Sequence, residues 1–192
     1  MNDFNKIKKE LEWIMCNKGS SAYIDIVNNK IIHNNRIGNS TNHIKRRNYD
    51  EVFNKILDND EYFIIFTDFS ILHFDYMFND ENQIIFSRLT YLPYVDNEAV
   101  KNVQYSKYIR IDYEPDDHKE IVHTKCHLHI GIEKNDFRIP VSTIMYPIEF
   151  IYFILKYIYH EDSKFTNLIT LNNDKEILLT KNEISKLRLM IG

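Results

Sequence analysis

The sequence is poor in cysteine and contains no long apolar run. Its two cysteines, Cys16 and Cys126, are too few for the disulfide framework that stabilises many small secreted domains. No stretch reaches the roughly 18 apolar residues that a membrane-spanning helix needs. Charged side chains interrupt residues 1–17, where a signal peptide would have an apolar centre. These absences predict a cytoplasmic protein that has no membrane partner.

Glycine is equally scarce, and the chain has no excess of basic charge. None of the four glycines belongs to a P-loop or a dinucleotide-binding loop, so nucleotide hydrolysis and nicotinamide chemistry lose their main sequence support. With 24 basic and 28 acidic residues the net charge is -4, which argues against a general electrostatic attraction to nucleic acid. The polar stretch His33–Asn48, with its basic run Lys45–Arg47, is interpreted as a solvated loop in preference to a phosphate-binding patch.

The remaining composition is that of a folded protein. Hydrophobic residues make up 44% and charged residues 27% of the chain, a balance typical of globular proteins and not of disordered ones. A chain of this length buries about 70% of the surface that its unfolded form exposes. We expect one α+β domain spanning residues 1–192, because no low-complexity linker or repeat divides the sequence.

Helices are predicted near both ends of the sequence. Asn2 or Asp3 can cap a first helix, whose apolar residues recur at spacings of three and four: Phe4, Ile7, Leu11, Ile14. Pro147 opens a strongly apolar helix over residues 147–159. Thr180 and Glu183 have the spacing of a capping box, which predicts a final helix.

The centre of the sequence predicts a run of β-strands, and a short amphipathic helix after Asn48 separates the first strand from the others. Apolar and polar residues alternate there, and turn-forming residues such as Asn79–Asn82 separate the segments. The predicted strands are 23–32, 62–66, 70–78, 83–92, 105–113, 125–132 and 137–141. Consecutive hairpin-like strands between terminal helices predict an α+β fold, with a mainly antiparallel sheet and helices packed on one face and at both termini.

Residues that can carry chemistry concentrate between Arg110 and Arg138. Four of the eight histidines lie in this segment: His118, His123, His127, His129. Because side chains two apart on a strand share a face, Arg110, Asp112 and Glu114 are predicted to point together, and so are His127 and His129. If the two strands are neighbours, they form one charged patch that bears imidazoles.

Three kinds of site fit a patch of six residues: His127, His129, Asp112, Glu114, Arg110, Arg138. His127 and His129 with Asp112 or Glu114 can bind a divalent transition metal, for which imidazole and carboxylate are suitable ligands. A histidine and a carboxylate can instead act as acid and base without metal, while Arg110 or Arg138 stabilises the charge of a phosphoryl transition state. In the third kind of site, Arg110, Arg138 and the histidines simply bind an anionic group. A solvent-facing strand with Arg–Asp and His–Glu cross-strand pairs is the alternative that needs no ligand.

Several sequence motifs in combination resemble one known family. They are Ser70-Ile71-Leu72-His73-Phe74-Asp75-Tyr76, Arg88-Leu89-Thr90-Tyr91-Leu92-Pro93, Arg110-Ile111-Asp112-Tyr113-Glu114, His123-x-x-x-His127-Leu128-His129-Ile130-Gly131 and Arg138-Ile139-Pro140-Val141. Over residues 60–160 the chain resembles an uncharacterised bacterial family catalogued as a domain of unknown function, number 2290. The resemblance implies no established activity, but it places Arg110, Asp112, His123, His127, His129 and Arg138 inside motif blocks.

The expected function is that of a small nuclease or related phosphoesterase of a toxin–antitoxin or antiphage system. In this hypothesis His127, His129 and Asp112 bind a metal or act directly with Glu114, while Arg110 and Arg138 hold phosphate. Nucleic acid is then the expected partner. The alternative is a non-catalytic subunit that binds a partner protein or senses a ligand within a defence complex, which the acidic net charge favours.

Overall fold

The structure is a computed structural model, and it describes residues 2–28, 32–33, 36–38, 49–95, 108–120, 122–131, 138–161 and 177–191. The helices within these ranges are α1 (Asp3–Asn17), α2 (Tyr49–Asp58), α3 (Pro147–Tyr157) and α4 (Lys181–Ile191). The strands are β1 (Ile24–Val27), β2 (Ile32–His33), β3 (Arg36–Gly38), β4 (Ile64–Phe66), β5 (Ile71–Phe78), β6 (Ile84–Leu92), β7 (Ile109–Tyr113), β8 (Cys126–Ile130) and β9 (Ile139–Pro140).

The described strands form one sheet in which every pairing is antiparallel. β5 and β6 pair along nearly their whole length, and from β6 the sheet continues through β7 and β8 to β9. On its other edge β5 pairs with β4 near Leu72 and with β3 near Tyr76, while β1 pairs with β4 and β2 pairs with β3. The predicted α+β fold with a mainly antiparallel sheet is confirmed.

One face of the sheet carries the main hydrophobic core. Alternate residues of the central strands point into it, including Phe74 of β5, Leu89 of β6 and Ile111 of β7. The helices α1 and α3 cover this face with fully buried residues at helical spacing: Ile7, Leu11, Ile14, Phe150, Ile151, Ile154, Leu155. Burying one such side chain contributes about 1.5–3 kcal/mol, so these two helices fix which face of the sheet becomes the core.

The short helix α2 lies in a second and smaller apolar cluster. Val52 and Phe53 of α2 share this cluster with Ile71 of β5 and Leu92 of β6, which are paired across the two strands. The strand neighbours of Ile71 and Leu92 point into the main core. Because successive side chains on a strand alternate between faces, Ile71 and Leu92 point to the opposite face of the sheet. One end of that second face is therefore apolar.

The helices begin where the sequence signals predict. Asn2 caps α1 by accepting a hydrogen bond from the backbone N–H of Asn5 at 3.0 Å. Pro147 is the first residue of α3, and Thr180 and Glu183 exchange the two hydrogen bonds of a capping box at 2.7 and 3.2 Å. Each cap satisfies backbone N–H groups that the first turn of a helix leaves without partners. Within the described residues, no helix combines the length and the apolar character needed to cross a membrane.

The strands β2 and β3 correct one sequence-based prediction. The polar stretch His33–Asn48 predicts a loop throughout, whereas Arg36–Gly38 forms a strand that pairs with β5. Two contacts outweigh the polar composition: Ile37 is fully buried, and the Arg36 guanidinium donates two hydrogen bonds to Asp75 at 2.9 and 2.8 Å. The basic run Lys45–Arg47 lies outside the described residues.

Gly38 is a position where the fold requires glycine. Its φ is +91°, and a Cβ atom there would lie 1.6 Å from the carbonyl oxygen of Phe74. We therefore expect Gly38→Ala to lower the free energy of unfolding by about 3 kcal/mol or more, because the backbone of β5 cannot move aside cheaply. Urea unfolding followed by circular dichroism measures this loss.

Gly131 provides the matched control for this prediction. Its φ is +84°, but beyond its chain neighbours no heavy atom of the described residues lies within 4 Å of the position that a Cβ would take. Gly131→Ala should therefore cost only the left-handed backbone penalty of about 1–2 kcal/mol. Equal losses for the two variants would show that close packing of β3 on β5 does not contribute.

Candidate functional site

The second face of the sheet carries two rows of polar side chains beside the α2 cluster. Strand register aligns Asp75, Arg88, Asp112 and His127 in one row across β5, β6, β7 and β8. The next row consists of His73, Thr90, Arg110 and His129. These eight residues are hereafter the polar face. Because β7 and β8 are paired, the structure meets the condition on which the predicted patch depended.

The polar face is buried, so it is not the solvent-facing strand that was the alternative to a site. Its most exposed member, Arg110, retains only 7% of its accessible surface. Transferring a charged side chain out of water costs several kcal/mol unless ion pairs and hydrogen bonds compensate. Burial of the charged side chains of the polar face therefore costs folding free energy unless such contacts compensate for it.

Asp112 lies between two arginines at the centre of the polar face. Its Oδ1 accepts a hydrogen bond from Arg88 Nε at 2.8 Å, and its Oδ2 accepts one from Arg88 Nη2 at 3.1 Å. Arg110 Nη2 lies 3.0 Å from the same Oδ2. Burial opposes ionisation of Asp112, but the charges of Arg110 and Arg88 outweigh it and hold the pKa of this carboxyl below its ordinary value.

Arg88 joins two carboxylates. Besides its bidentate contact with Asp112, its Nη2 donates to Glu114 Oε1 at 2.5 Å. The Arg88 side chain is 2% exposed and that of Glu114 is 14% exposed. Glu114 therefore lies at the more accessible rim of the cluster, whereas Arg88 and Asp112 form its interior.

His127 and His129 project from β8 toward Asp112. Their Nε2 atoms lie 3.9 and 3.6 Å from Asp112 Oδ2, and both are buried without a hydrogen-bond partner among the described residues. Burial lowers the pKa of His127 to about 4 and, with the charge of Arg110, lowers that of His129 to about 3. Both imidazoles are therefore neutral at pH 7, which is the form that binds metals.

His123 adds a third imidazole from the segment that precedes β8. Its ring centroid lies 4.5 Å from that of His127, and its Nε2 lies 3.8 Å from Glu114 Oε2. Its Nδ1 lies 2.6 Å from the backbone carbonyl oxygen of Asp117. This contact fixes the direction of the ring, because a turn between Asp117 and His123 places both groups side by side.

Arg138 approaches the same histidines from the last strand of the sheet. It directly precedes β9, in which Pro140 pairs with His127. Its positive charge contributes to the lowered pKa of both His127 and His129. The structure therefore brings together all six residues that the sequence predicts for the site.

A family model with the description "Uncharacterized conserved protein (DUF2290)" matches residues 15–191. The chain belongs to this family. The match extends well beyond the resemblance over residues 60–160 and includes every residue of the candidate site. Searches of curated proteins and of solved structures find no match for this DUF2290 chain.

Two residues of the site were missed as site candidates in this DUF2290 sequence. Arg88 lies more than twenty positions before the histidine-rich segment, and only its pairing with Asp112 connects the two. His123 lies outside the described bounds of β8, so strand alternation gives it no face. Two sequence features could have indicated them. Arg88 and Thr90 share one face of β6 by strand alternation, and both Arg88 and His123 lie in the quoted motif blocks.

The DUF2290 site offers two overlapping sets of metal-ligand atoms. One set is the predicted Asp112, His127 and His129, and the other is Glu114, His123 and His127. In each set the ligand atoms lie within 4.8 Å of one another. The two sets share His127, and Arg88 contacts one carboxylate of each set, Asp112 and Glu114.

Proposed function

We propose that this chain is a phosphoesterase, and more specifically a nuclease, whose reaction takes place beside His127 and His129. The single observation that carries the proposal is the pair of buried Nε2 atoms of these histidines, which have no partner among the described residues. They lie beside two carboxylates and three arginines. The toxin–antitoxin or antiphage setting stays a prediction from the sequence.

The arginines suit the binding of a phosphodiester. The positive charges of Arg110 and Arg138 both act on His129, and guanidinium groups bind phosphate oxygens with two parallel hydrogen bonds. In hydrolysis a water oxygen attacks phosphorus, the ester P–O bond breaks, and the leaving oxygen takes up a proton. Guanidinium groups stabilise the negative charge that gathers on the phosphoryl oxygens during this step.

The neutral histidines favour metal-assisted chemistry over metal-free acid–base catalysis. A general base works best when its pKa lies near the operating pH, whereas His127 and His129 have pKa values of about 4 and about 3. As neutral imidazoles both are weak bases at pH 7, and the Nε2 lone pair of His127 is suited to metal binding instead. A bound divalent ion would lower the pKa of a coordinated water and so supply the nucleophile at neutral pH.

The test is cleavage of single- and double-stranded RNA and DNA by the purified protein, with Mg²⁺, Mn²⁺ or Zn²⁺ added or with all divalent ions chelated. We expect metal-dependent turnover of one of these substrates. His127→Ala combined with His129→Ala should reduce the rate by about 100-fold or more. His160→Asn is the matched control, because His160 is exposed and has the positive φ that asparagine tolerates. No turnover of any substrate by the wild type would contradict the proposal.

Burial of the polar face favours a second candidate function, a non-catalytic subunit. His127 is 0% and Asp112 is 1% exposed, and groups this inaccessible can serve to fix a binding surface or to sense a small ligand. This hypothesis predicts a partner that co-purifies in stoichiometric amount and is lost on Arg138→Ala, while no nucleic acid is turned over.

A further inference from the structure

Two imidazole rings of the site are fixed by backbone carbonyl groups. His123 Nδ1 lies 2.6 Å from the carbonyl oxygen of Asp117, and His127 Nδ1 lies 3.0 Å from that of Thr124. A carbonyl oxygen only accepts hydrogen bonds, so both Nδ1 atoms must carry the proton. In the neutral rings both Nε2 atoms then present a lone pair. A backbone carbonyl on the remote nitrogen is the usual support of a metal-bound histidine.

The two carboxylates of the cluster differ in how many donors already occupy them. Asp112 Oδ2 lies 3.1 Å from Arg88 Nη2 and 3.0 Å from Arg110 Nη2, so guanidinium groups occupy it from two sides. Glu114 Oε1 accepts from Arg88, whereas Glu114 Oε2 has no hydrogen-bond donor among the described residues. A cation can therefore approach Glu114 Oε2 without displacing an arginine.

With the ring neutral and the proton on Nδ1, His123 Nε2 and Glu114 Oε2 form a pair of acceptor atoms between which a cation can bind. The lone pair of His123 Nε2 and the carboxylate oxygen Glu114 Oε2 are both acceptors, yet they face each other at 3.8 Å. That separation is too long for a hydrogen bond. Two ligands on a tetrahedral ion with bonds of about 2.0–2.1 Å are about 3.3 Å apart, so small side-chain movements bring these atoms into coordination.

We infer that Glu114 Oε2, His123 Nε2 and His127 Nε2 bind one divalent first-row transition-metal ion, preferably Zn²⁺. Two imidazoles and one carboxylate form a three-ligand set that leaves the fourth position of a tetrahedral ion for water or substrate. The site holds a single ion, because His127 Nδ1 is committed to Thr124 and only Nε2 can coordinate. His129 is not a ligand; its charged neighbours are Asp112, Arg110 and Arg138.

This ion position adds detail to the proposed function. A catalytic role of the ion rests on the proposed function, whereas binding of the ion does not. Glu114 is the most exposed carboxylate of the cluster, so the open coordination position lies on the accessible rim. Arg88 contacts Glu114 and Asp112 together, and it therefore connects the metal ligand to the carboxylate that orients Arg110.

The experiment measures Zn²⁺ affinity by competition with a chromophoric chelator, using metal-stripped wild type, His123→Ala and His129→Ala. The two variants are matched, because His123 belongs only to the inferred ligand set and His129 only to the sequence-predicted set. We expect one Zn²⁺ per chain, a Kd raised by about 100-fold or more in His123→Ala, and a Kd within about 3-fold of wild type in His129→Ala. Circular dichroism checks that each variant is folded.

A second measurement needs no variant at histidine. In nitrogen-detected NMR of the wild type, Zn²⁺ should shift the ring resonances of His123 and His127 and leave those of His129 nearly unchanged. Loss of affinity in His129→Ala equal to that in His123→Ala, shifts confined to His127 and His129, or no zinc binding at all would each overturn the inference. Zinc binding at this site without any phosphoester turnover would leave the inference standing and reject the proposed function.

Discussion

Replacing Arg88 with methionine should lower the free energy of unfolding by about 3–5 kcal/mol at pH 7, the usual cost of removing one partner from a buried ion pair. Methionine keeps much of the side-chain volume but removes the charge that contacts Asp112 and Glu114. Asp112 is 1% exposed and cannot recover its hydration, so the loss exceeds that of a surface pair.

The pH dependence of this loss identifies its cause. Arg110 and Arg88 hold the pKa of Asp112 below its ordinary value in the folded wild type, so the stability from this carboxylate is present above the unfolded pKa of about 4. It is lost as the pH falls through the folded pKa. In Arg88→Met that contribution is already reduced. The difference in the free energy of unfolding between wild type and Arg88→Met should therefore become smaller below about pH 4. Urea unfolding at pH 7 and at pH 3.5 measures both differences.

Arg36→Met is the control for Arg88→Met. Arg36 also donates two hydrogen bonds to a buried aspartate, Asp75, but its own side chain is 31% exposed. Asp75 also has Arg88 opposite it across the strands. We expect a smaller loss of about 1–2 kcal/mol. If Arg36→Met costs as much as Arg88→Met, burial of the central pair is not what makes it strong.

Strand alternation in the sequence predicts the part of the polar face that β7 and β8 contribute. Arg110, Asp112, His127 and His129 occupy one face because β7 and β8 each keep a regular two-residue period over five residues. The pairing of β7 with β8 is a condition of this prediction, and the structure supplies it. The sequence does not reveal that this face is buried, because burial depends on packing from elements distant in the chain.

Contacts that strand periodicity does not encode explain what sequence analysis missed. Arg88 reaches Asp112 only through the register of β6 on β7, and no local pattern encodes that register. His123 becomes part of the site because its ring contacts the carbonyl of Asp117, a turn interaction that strand periodicity cannot predict. Arg36 belongs to a three-residue strand, which is too short for alternation to be recognised. Arg88 and Arg36 are therefore placed by contacts between distant segments, whereas a turn within six residues places His123.

Lowering the pH from 6.5 to 5 should destabilise the metal-free protein, and His129 should account for a large part of the slope of unfolding free energy against pH. Burial, with Arg110, lowers the folded pKa of His129 to about 3, whereas the unfolded value is near 6.5. Below pH 6.5 His129 therefore binds a proton in the unfolded chain, whereas in the folded chain it stays neutral until the pH approaches about 3. The stability that His129 contributes is fully present above pH 6.5 and is lost as the pH falls, by up to about 1.4 kcal/mol per pH unit.

His127 adds a similar slope, since burial lowers its folded pKa to about 4. Carboxylates contribute little in this window, because they titrate mostly below pH 5. The measurement is urea unfolding between pH 6.5 and 5 in the presence of a chelator, for wild type, His129→Gln and the exposed-site control His160→Asn. The slope of His129→Gln should be clearly shallower than that of wild type, and the slope of His160→Asn should be nearly unchanged. Parallel slopes for wild type and His129→Gln would mean that His129 binds its proton as readily in the folded as in the unfolded state, which burial and the charge of Arg110 argue against.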